Sequence, residues 1–345
     1  MQSAFLAGRG DVRVIDIPDP TIEQSTDAIV RVLRTGVCGS DVHRFRTAAA
    51  EEPPVSMGHE FVGVVEEVGT AVRTVRPGDV VVAPLVWSDG TCDFCRMGLH
   101  TSCRNGGLWS GADRSGAQAE AVRVPCADGT LVVAPVAEDS VLLPSLLTLS
   151  DVYGTGYHAA RTARIASGST VCVIGDGAVG LLAVLSAQQL GAHRIVLLSH
   201  HPERAELARE FGATDIVTES GQDAVDVVDD LTRGVGTQVV IEAVGHKNAF
   251  EQAIAIVRDG GIVSQIGVPK KPDHLSALVK AFDRNVALVG GLAPTRAYIE
   301  ALLPAVLDGS VVPGRVFDNE VTLADIQTGY QHMADRSSLK TIVRP

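Results

Sequence analysis

The stretch Thr170-Val-Cys-Val-Ile-Gly-Asp-Gly-Ala-Val-Gly180 decides the architecture of this chain. Its first half, Thr170–Ile174, is a short apolar run of the kind that forms a buried strand. Gly175, Gly177 and Gly180 follow in the spacing G-x-G-x-x-G, and an apolar helical segment runs on to Leu190. A strand that turns through these glycines into a helix is the context in which the spacing carries meaning. The first glycine makes a tight turn, the second lets a pyrophosphate approach the backbone, and the third lets helix and strand pack closely. Where Ala178 and Val179 open the helix, its N-terminus adds positive potential. The alternative is a glycine turn of structural purpose only.

Outward from that turn, Arg194–Leu198 reads as the next strand and Pro202–Phe211 as a helix. Val239–Glu242, Ile262–Ile266 and Val286–Gly290 mark further strands between helical stretches. From Asp151 onward this alternation predicts a doubly wound parallel sheet. The first 135 residues differ: alternation in Asp27–Leu33 and Phe61–Val68, and a Pro77-Gly78-Asp79 turn before Val80–Ala83, predict short strands in a compact barrel-like domain. A last segment, Ala293–Pro345, carries helical patterns near Tyr298–Leu307 and Leu323–Met333, then the strand-like Lys340–Val343. No repeat, low-complexity tract or linker separates these parts.

At 345 residues the chain can bury two sizeable cores. A net charge of −12 opposes nucleic-acid binding, which wants the opposite sign. No apolar run is long enough to span a bilayer, and the start, Met1-Gln-Ser-Ala-Phe-Leu, lacks the pattern of a signal peptide, so we expect a cytosolic protein.

Two clusters carry metal chemistry. Gly36-Val-Cys-Gly-Ser-Asp-Val-His43 and Gly58-His-Glu60 bring Cys38, His59 and Glu60, ligand types that suit Zn²⁺. Cys38 and His59 stand too far apart for one local finger, so a shared metal needs two loops joined by the fold, the habit of a catalytic site. Ser40 and His43 add a hydroxyl and an imidazole close to the thiol, groups that can carry a proton away. The second cluster is Cys92-x-x-Cys95-x₇-Cys103, and Asp89 precedes Cys92 by the same step that separates Cys92 from Cys95. A tetrahedral Asp89/Cys92/Cys95/Cys103 structural site follows, with free thiols as the alternative. Cys126 and Cys172 lie among apolar residues and are expected in the core. Trp87 and Trp109 flank the lobe, where packing is at least as good a use for them as bordering a cleft.

With these motifs assembled, the chain resembles the zinc-dependent medium-chain alcohol dehydrogenases along essentially its whole length. G-H-E-x-x-G-x₅-G-x-x-V at Gly58–Val72 matches the zinc signature of that family, and the cysteine lobe, the glycine turn and the closing Lys340-Thr-Ile-Val-Arg-Pro345 fall in the family's order. The resemblance implies a β-rich GroES-like catalytic domain, split as residues 1–151 and 289–345 around a Rossmann nucleotide-binding domain at 152–288. It implies Cys38 and His59 as catalytic zinc ligands, with Glu60 adjacent or alternating. The third ligand falls in Leu149–His158, where many relatives have cysteine and this chain has Asp151, a residue equally suited to capping a helix. The resemblance also implies two zinc ions per chain, Ser40 bonded to the substrate hydroxyl, and His43 at the outer end of a proton relay. A small alcohol or carbonyl is the implied substrate, and a homodimer or homotetramer, paired through Asn285–Gly291, is the implied assembly.

Relatives that use NAD carry Asp or Glu about 20 residues beyond the glycine motif, at the end of the second strand, to hold the ribose hydroxyls. This chain has Ser199 there, followed by His200, His201 and Arg204. Loss of the carboxylate and gain of donors predict a 2′-phosphate and therefore NADP(H), with a relaxed NAD enzyme as the alternative. The cofactor set is thus Gly175, Gly177, Ala178, Val179, Gly180, Ser199, His200, His201, Arg204 and Lys340. Two rival activities remain open on the same fold: a reductase of activated C=C bonds and a non-catalytic nucleotide- or quinone-binding redox sensor.

Overall fold

The structure is a computed structural model that describes residues 1–49, 54–110, 116–269 and 275–345. The chain divides into two units, Thr155–Ala293 and the joined segments Met1–Gly154 and Pro294–Pro345. Among the described residues no helix is long and apolar enough to cross a membrane.

The unit Thr155–Ala293 is built on a six-stranded parallel sheet. Its spatial order is Asp215–Val217, Arg194–Leu198, Thr170–Ile174, Thr237–Glu242, Val257–Gln265 and Ala287–Gly290. Counted along this unit the order is 3-2-1-4-5-6, the doubly wound arrangement that the alternation predicts. The central strands are apolar on both faces, with Cys172, Val196, Val240 and Val263 fully buried, as befits a sheet covered by helices on either side. Helix Ala178–Gln189 buries every residue from Gly180 to Ala187. The third strand, Asp215–Val217, escapes a pattern reading because only three residues form it.

In the other unit, strand Ala28–Gly36 is the hub. It pairs antiparallel with Phe61–Val68, Ala121–Val124 and Thr341–Arg344 in a seven-stranded sheet. Val80–Ala83 and Val132–Val133 extend this sheet on one side, and Asn319–Thr322 on the other. A core of Ala28, Val30, Phe61, Val81, Trp109 and Val124 fills it. Trp109 stacks edge-on to Phe61 at 5.0 Å and donates its indole N–H to Pro84 O at 2.8 Å, so packing accounts for it. The pairing of Ile342 with Gly36 and Val343 with Thr35 has a functional consequence. It stitches the C-terminal strand next to the turn that carries Cys38.

Cys172 is a core residue, as its apolar neighbours predict. Cys126 is not: it is partly exposed and holds a left-handed backbone, φ 50°, before the short helix Ala127–Thr130.

Candidate active site

Strand Ala28–Gly36 delivers the chain to Cys38, which caps helix Gly39–Thr47 from an extended backbone, φ −95° and ψ 157°. Asp41, the third residue of the helix, accepts the Cys38 N–H at 3.0 Å through Oδ2. Its Oδ1 lies 3.4 Å from His59 Nδ1. The other nitrogen of His59, Nε2, is 3.2 Å from Asp151 Oδ2, and Cys38 Sγ is 3.5 Å from that same oxygen. One ligand atom from each of Cys38, His59, Glu60 and Asp151 falls within 4.8 Å of the others. Four residues scattered between positions 38 and 151 thus meet at one point.

The donor set fits zinc. A tetrahedron with bonds of about 2.0–2.3 Å separates neighbouring ligand atoms by about 3.3–3.8 Å, the size of the gaps seen here. Electrostatics points the same way. Burial pushes the Cys38 thiol up, and the charge of Asp151 pushes it further. Burial opposes a proton on His59, but Asp41 and Asp151 outweigh it and hold the imidazole well above its ordinary value. The thiolate of Cys38 and the carboxylate of Asp151 repel one another, and both draw positive charge toward His59, so a central cation suits the cluster.

Glu60 is held differently from its neighbours. Its side chain is fully buried, and Lys340 Nζ sits 2.9 Å from Oε1 and 2.8 Å from Oε2. Lys340, itself 1% exposed, also donates to Val37 O at 3.2 Å. Burial favours the neutral amine, but the Glu60 carboxylate prevails and raises the Lys340 pKa. Expected at the cofactor, Lys340 lies here against the metal-ligand cluster. Gly36 makes the arrangement possible, since a Cβ there would collide with Glu60 Oε2. Ser40 and His43 are exposed and one helical turn apart on Gly39–Thr47, so they share a face of that helix.

The second cluster is equally local in space. Cys92 Sγ lies 3.6 Å from Cys95 Sγ and 3.9 Å from Cys103 Sγ. Zinc–sulfur bonds of about 2.3 Å put two thiolates about 3.8 Å apart in a tetrahedron, so the thiols are spaced for one ion. Asp89 completes the group, with ligand atoms of all four residues within 4.8 Å. Its Oδ1 accepts the Thr91 and Cys92 N–H groups at 2.8 and 2.9 Å, and Oδ2 accepts the Asn105 amide at 2.7 Å. Partial burial resists its charge, but those donors hold the carboxyl well below its usual range. Burial, then the neighbouring thiols, push Cys95 up.

At the glycine turn, Gly175 adopts φ +108° and a Cβ there would lie 2.8 Å from Val244 Cγ2. A Cβ on Gly180 would collide with the carbonyl of Gly175, so helix and strand do pack as closely as the third glycine allows. Gly177 differs. A Cβ there meets no atom within 4 Å, so packing within the chain does not explain this glycine, and the backbone is open to the close approach that a phosphate would need. Ala178 and Val179 form the first turn of helix Ala178–Gln189 behind it.

The residues expected around the ribose divide into two groups. Ser199, His201 and Arg204 gather round the carboxylate of Asp176, at 2.8, 2.7 and 3.4 Å. His200 turns instead to the Thr218 carbonyl at 2.8 Å and the Ser220 hydroxyl at 3.3 Å. Burial raises the Asp176 carboxyl, but His201, Ser199 and Arg204 outweigh it and lower its pKa. A cavity of about 640 Å³ opens at the other end of this sheet, against Thr170, Arg194 and Asp215, the first residues of their strands. Nucleotides bind parallel sheets at the carboxyl ends, where Gly175 and Ser199 lie, so the cavity is not their site.

Sequence reasoning missed Asp41 and Asp176. Asp41 had a usable signal, because an acidic residue three positions after a helix-capping residue reaches back to the cap. Asp176 occupies a variable position of the glycine motif, and the motif says nothing about its partners.

Two family models match the chain: "Alcohol dehydrogenase GroES-like domain" over residues 24–135 and "Zinc-binding dehydrogenase" over residues 178–308. The zinc-type alcohol dehydrogenase B of Aspergillus flavus is 34% identical over 93% of this chain and 76% of that protein. The chain belongs to the zinc-dependent medium-chain alcohol dehydrogenase family. Another relative, the NADP-dependent isopropanol dehydrogenase of Clostridium beijerinckii, is 33% identical over 90% of this chain and 88% of its own. Among solved structures, alcohol dehydrogenase TADH from Thermus sp. ATN1 matches with a TM-score of 0.91 at 32% identity, covering 100% of this chain and 99% of that one. Membership of the alcohol dehydrogenase family makes this protein an NAD(P)-linked oxidoreductase that acts on small molecules and works with zinc.

Proposed function

We propose that this family member interconverts small alcohols and their carbonyl compounds, with NADP(H) favoured over NAD(H). One observation carries the reading: Cys38, His59 and Asp151 converge while Glu60 is engaged by Lys340, which leaves three protein ligands and a fourth position for substrate, the pattern of a catalytic zinc site. Zinc in that set supplies Lewis-acid chemistry toward the alcohol or carbonyl oxygen, and the nicotinamide supplies the hydride donor or acceptor. Asp41 fixes the ring of His59 through Nδ1 and so presents Nε2. Ser40 accepts the alcohol proton while giving up its own hydroxyl proton to the relay, and His43 at the surface releases a proton to water. Asp89, Cys92, Cys95 and Cys103 hold a second, structural zinc. The NADP(H) preference is supported by Ser199 in place of an acidic residue, by Arg204 and His201 close to it, and by the relative named as NADP-dependent.

The assembly we propose is a homodimer or homotetramer. Ala287–Gly290 ends the parallel sheet, and Leu288 on it is 43% exposed. An apolar edge strand of this kind invites pairing with a second copy.

A panel of secondary alcohols, polyols and aldehydes, assayed with each cofactor before and after chelation, tests the activity. Secondary alcohols are the first to try, given the relative named as an isopropanol dehydrogenase. Metal-dependent oxidation of at least one alcohol class is expected. Turnover confined to enones, or unchanged in zinc-free protein, overturns the reading.

A further inference from the structure

The cofactor reading leans on Ser199, His201 and Arg204, and one carboxylate holds all three. Asp176 Oδ2 accepts the Ser199 hydroxyl at 2.8 Å and lies 2.7 Å from His201 Nδ1, while Arg204 Nη1 donates to Oδ1 at 3.4 Å. Asp176 is the single residue between Gly175 and Gly177, the first variable position of the glycine motif. The strands Thr170–Ile174 and Arg194–Leu198 run parallel with Ile174 opposite Leu198, so their carboxyl ends lie side by side. A side chain from the first turn therefore reaches the place that relatives serve with an acidic residue on the second strand. Ser199 is 1% exposed and its hydroxyl is already committed to Asp176, so it braces this carboxylate.

We propose that Asp176 is the residue that sets discrimination between the 2′-hydroxyl and the 2′-phosphate of the cofactor. It supplies, from the first turn, the carboxylate that the second strand lacks. That carboxylate accepts the ribose hydroxyls of the unphosphorylated cofactor and competes with a 2′-phosphate for Arg204 and His201. A phosphomonoester brings about −1.5 to −2 charges, which repel a carboxylate in the same cluster. For the phosphate to bind, Arg204 must turn from Asp176, and its contact at 3.4 Å is the longest of the three. The inference rests on the dinucleotide reading of the glycine turn but not on which cofactor the wild type prefers.

The test is calorimetric binding of two cofactor fragments, 2′,5′-ADP and 5′-AMP, to the full-length zinc-loaded protein and to Asp176→Asn. Asparagine keeps the size of the side chain and its acceptor for Ser199 while removing the charge. Asp176→Ser serves as a second variant should the first not fold. The ratio of dissociation constants is expected to move at least about tenfold toward 2′,5′-ADP. An unchanged ratio overturns the proposal. So does weaker 2′,5′-ADP binding in the variants, which would make Asp176 a mere brace for Arg204. If wild-type protein favours 5′-AMP and the variant still gains 2′,5′-ADP affinity, the NADP(H) preference fails and the role of Asp176 stands. If wild-type protein binds neither fragment, both readings fail.

Discussion

Lys340 and Glu60, 280 residues apart in the chain, form a buried ion pair with Nζ 2.8 Å from Oε2. Neither side chain is more than 1% exposed, so each supplies what water would otherwise give the other. Removing one partner of such a pair strands a buried charge, which costs about 3–5 kcal/mol. Lys340→Met is therefore expected to lower the denaturant midpoint sharply. Lys340→Met combined with Glu60→Gln should be closer to wild type than the two single losses summed, because the charges disappear together. A loss below about 1 kcal/mol in Lys340→Met would place the pair among contacts of surface-like strength.

The metal site yields a graded expectation. Cys38→Ala removes a ligand and should abolish turnover while the nucleotide unit still binds cofactor. Asp41→Asn leaves every ligand in place but weakens the hold on His59 Nδ1, and the loss expected is about 10–100-fold in zinc affinity. Competition with a chelator measures it. Wild-type zinc affinity in Asp41→Asn would show that the 3.4 Å contact orients nothing.

The cysteine lobe should behave as part of the fold. Metal analysis of replete protein is expected to give two zinc ions per chain, and Cys95→Ser should lower Tm more than it alters ligand affinity, since a structural ion contributes directly to folding. One zinc per chain with the lobe empty would count against the Asp89/Cys92/Cys95/Cys103 site.

For the cofactor, kcat/KM is expected to favour NADP(H) by about tenfold, or about 1.4 kcal/mol. Ser199→Asp places a second carboxylate beside Asp176 and should erase the preference mainly by weakening NADP(H). Wild-type kinetics with both cofactors decide it, and a preference for NAD(H) refutes the reading.

Light scattering at micromolar concentration is expected to find a dimer or a tetramer. Leu288→Glu, which charges the exposed edge strand, should shift the protein toward monomer with the fold retained. A monomeric wild type excludes pairing through that edge.

Much of this protein is legible in its sequence because the relevant signals are short-range. Thr170–Gly180 dictates a strand, a turn and a helix through side-chain size and backbone freedom alone, and the elements that follow form the doubly wound parallel sheet that their alternation predicts. Cys92, Cys95 and Cys103 meet largely because their spacing lets them. Cys38 and His59 were readable as ligand types, although nothing local to either names the other.

Tertiary structure alone decided who stands beside whom. Lys340 reaches Glu60 only because the C-terminal strand pairs with Ala28–Gly36, and strand pairing over that distance leaves no local pattern. Asp176 meets Ser199, His201 and Arg204 because two strands adjacent in the sheet end at the same level, which turns a variable residue of a glycine motif into the centre of a charge cluster. Charged side chains signal their type in a sequence and not their partners. Their energetics depends on distance and burial, and both are set by the packing of elements remote in the chain.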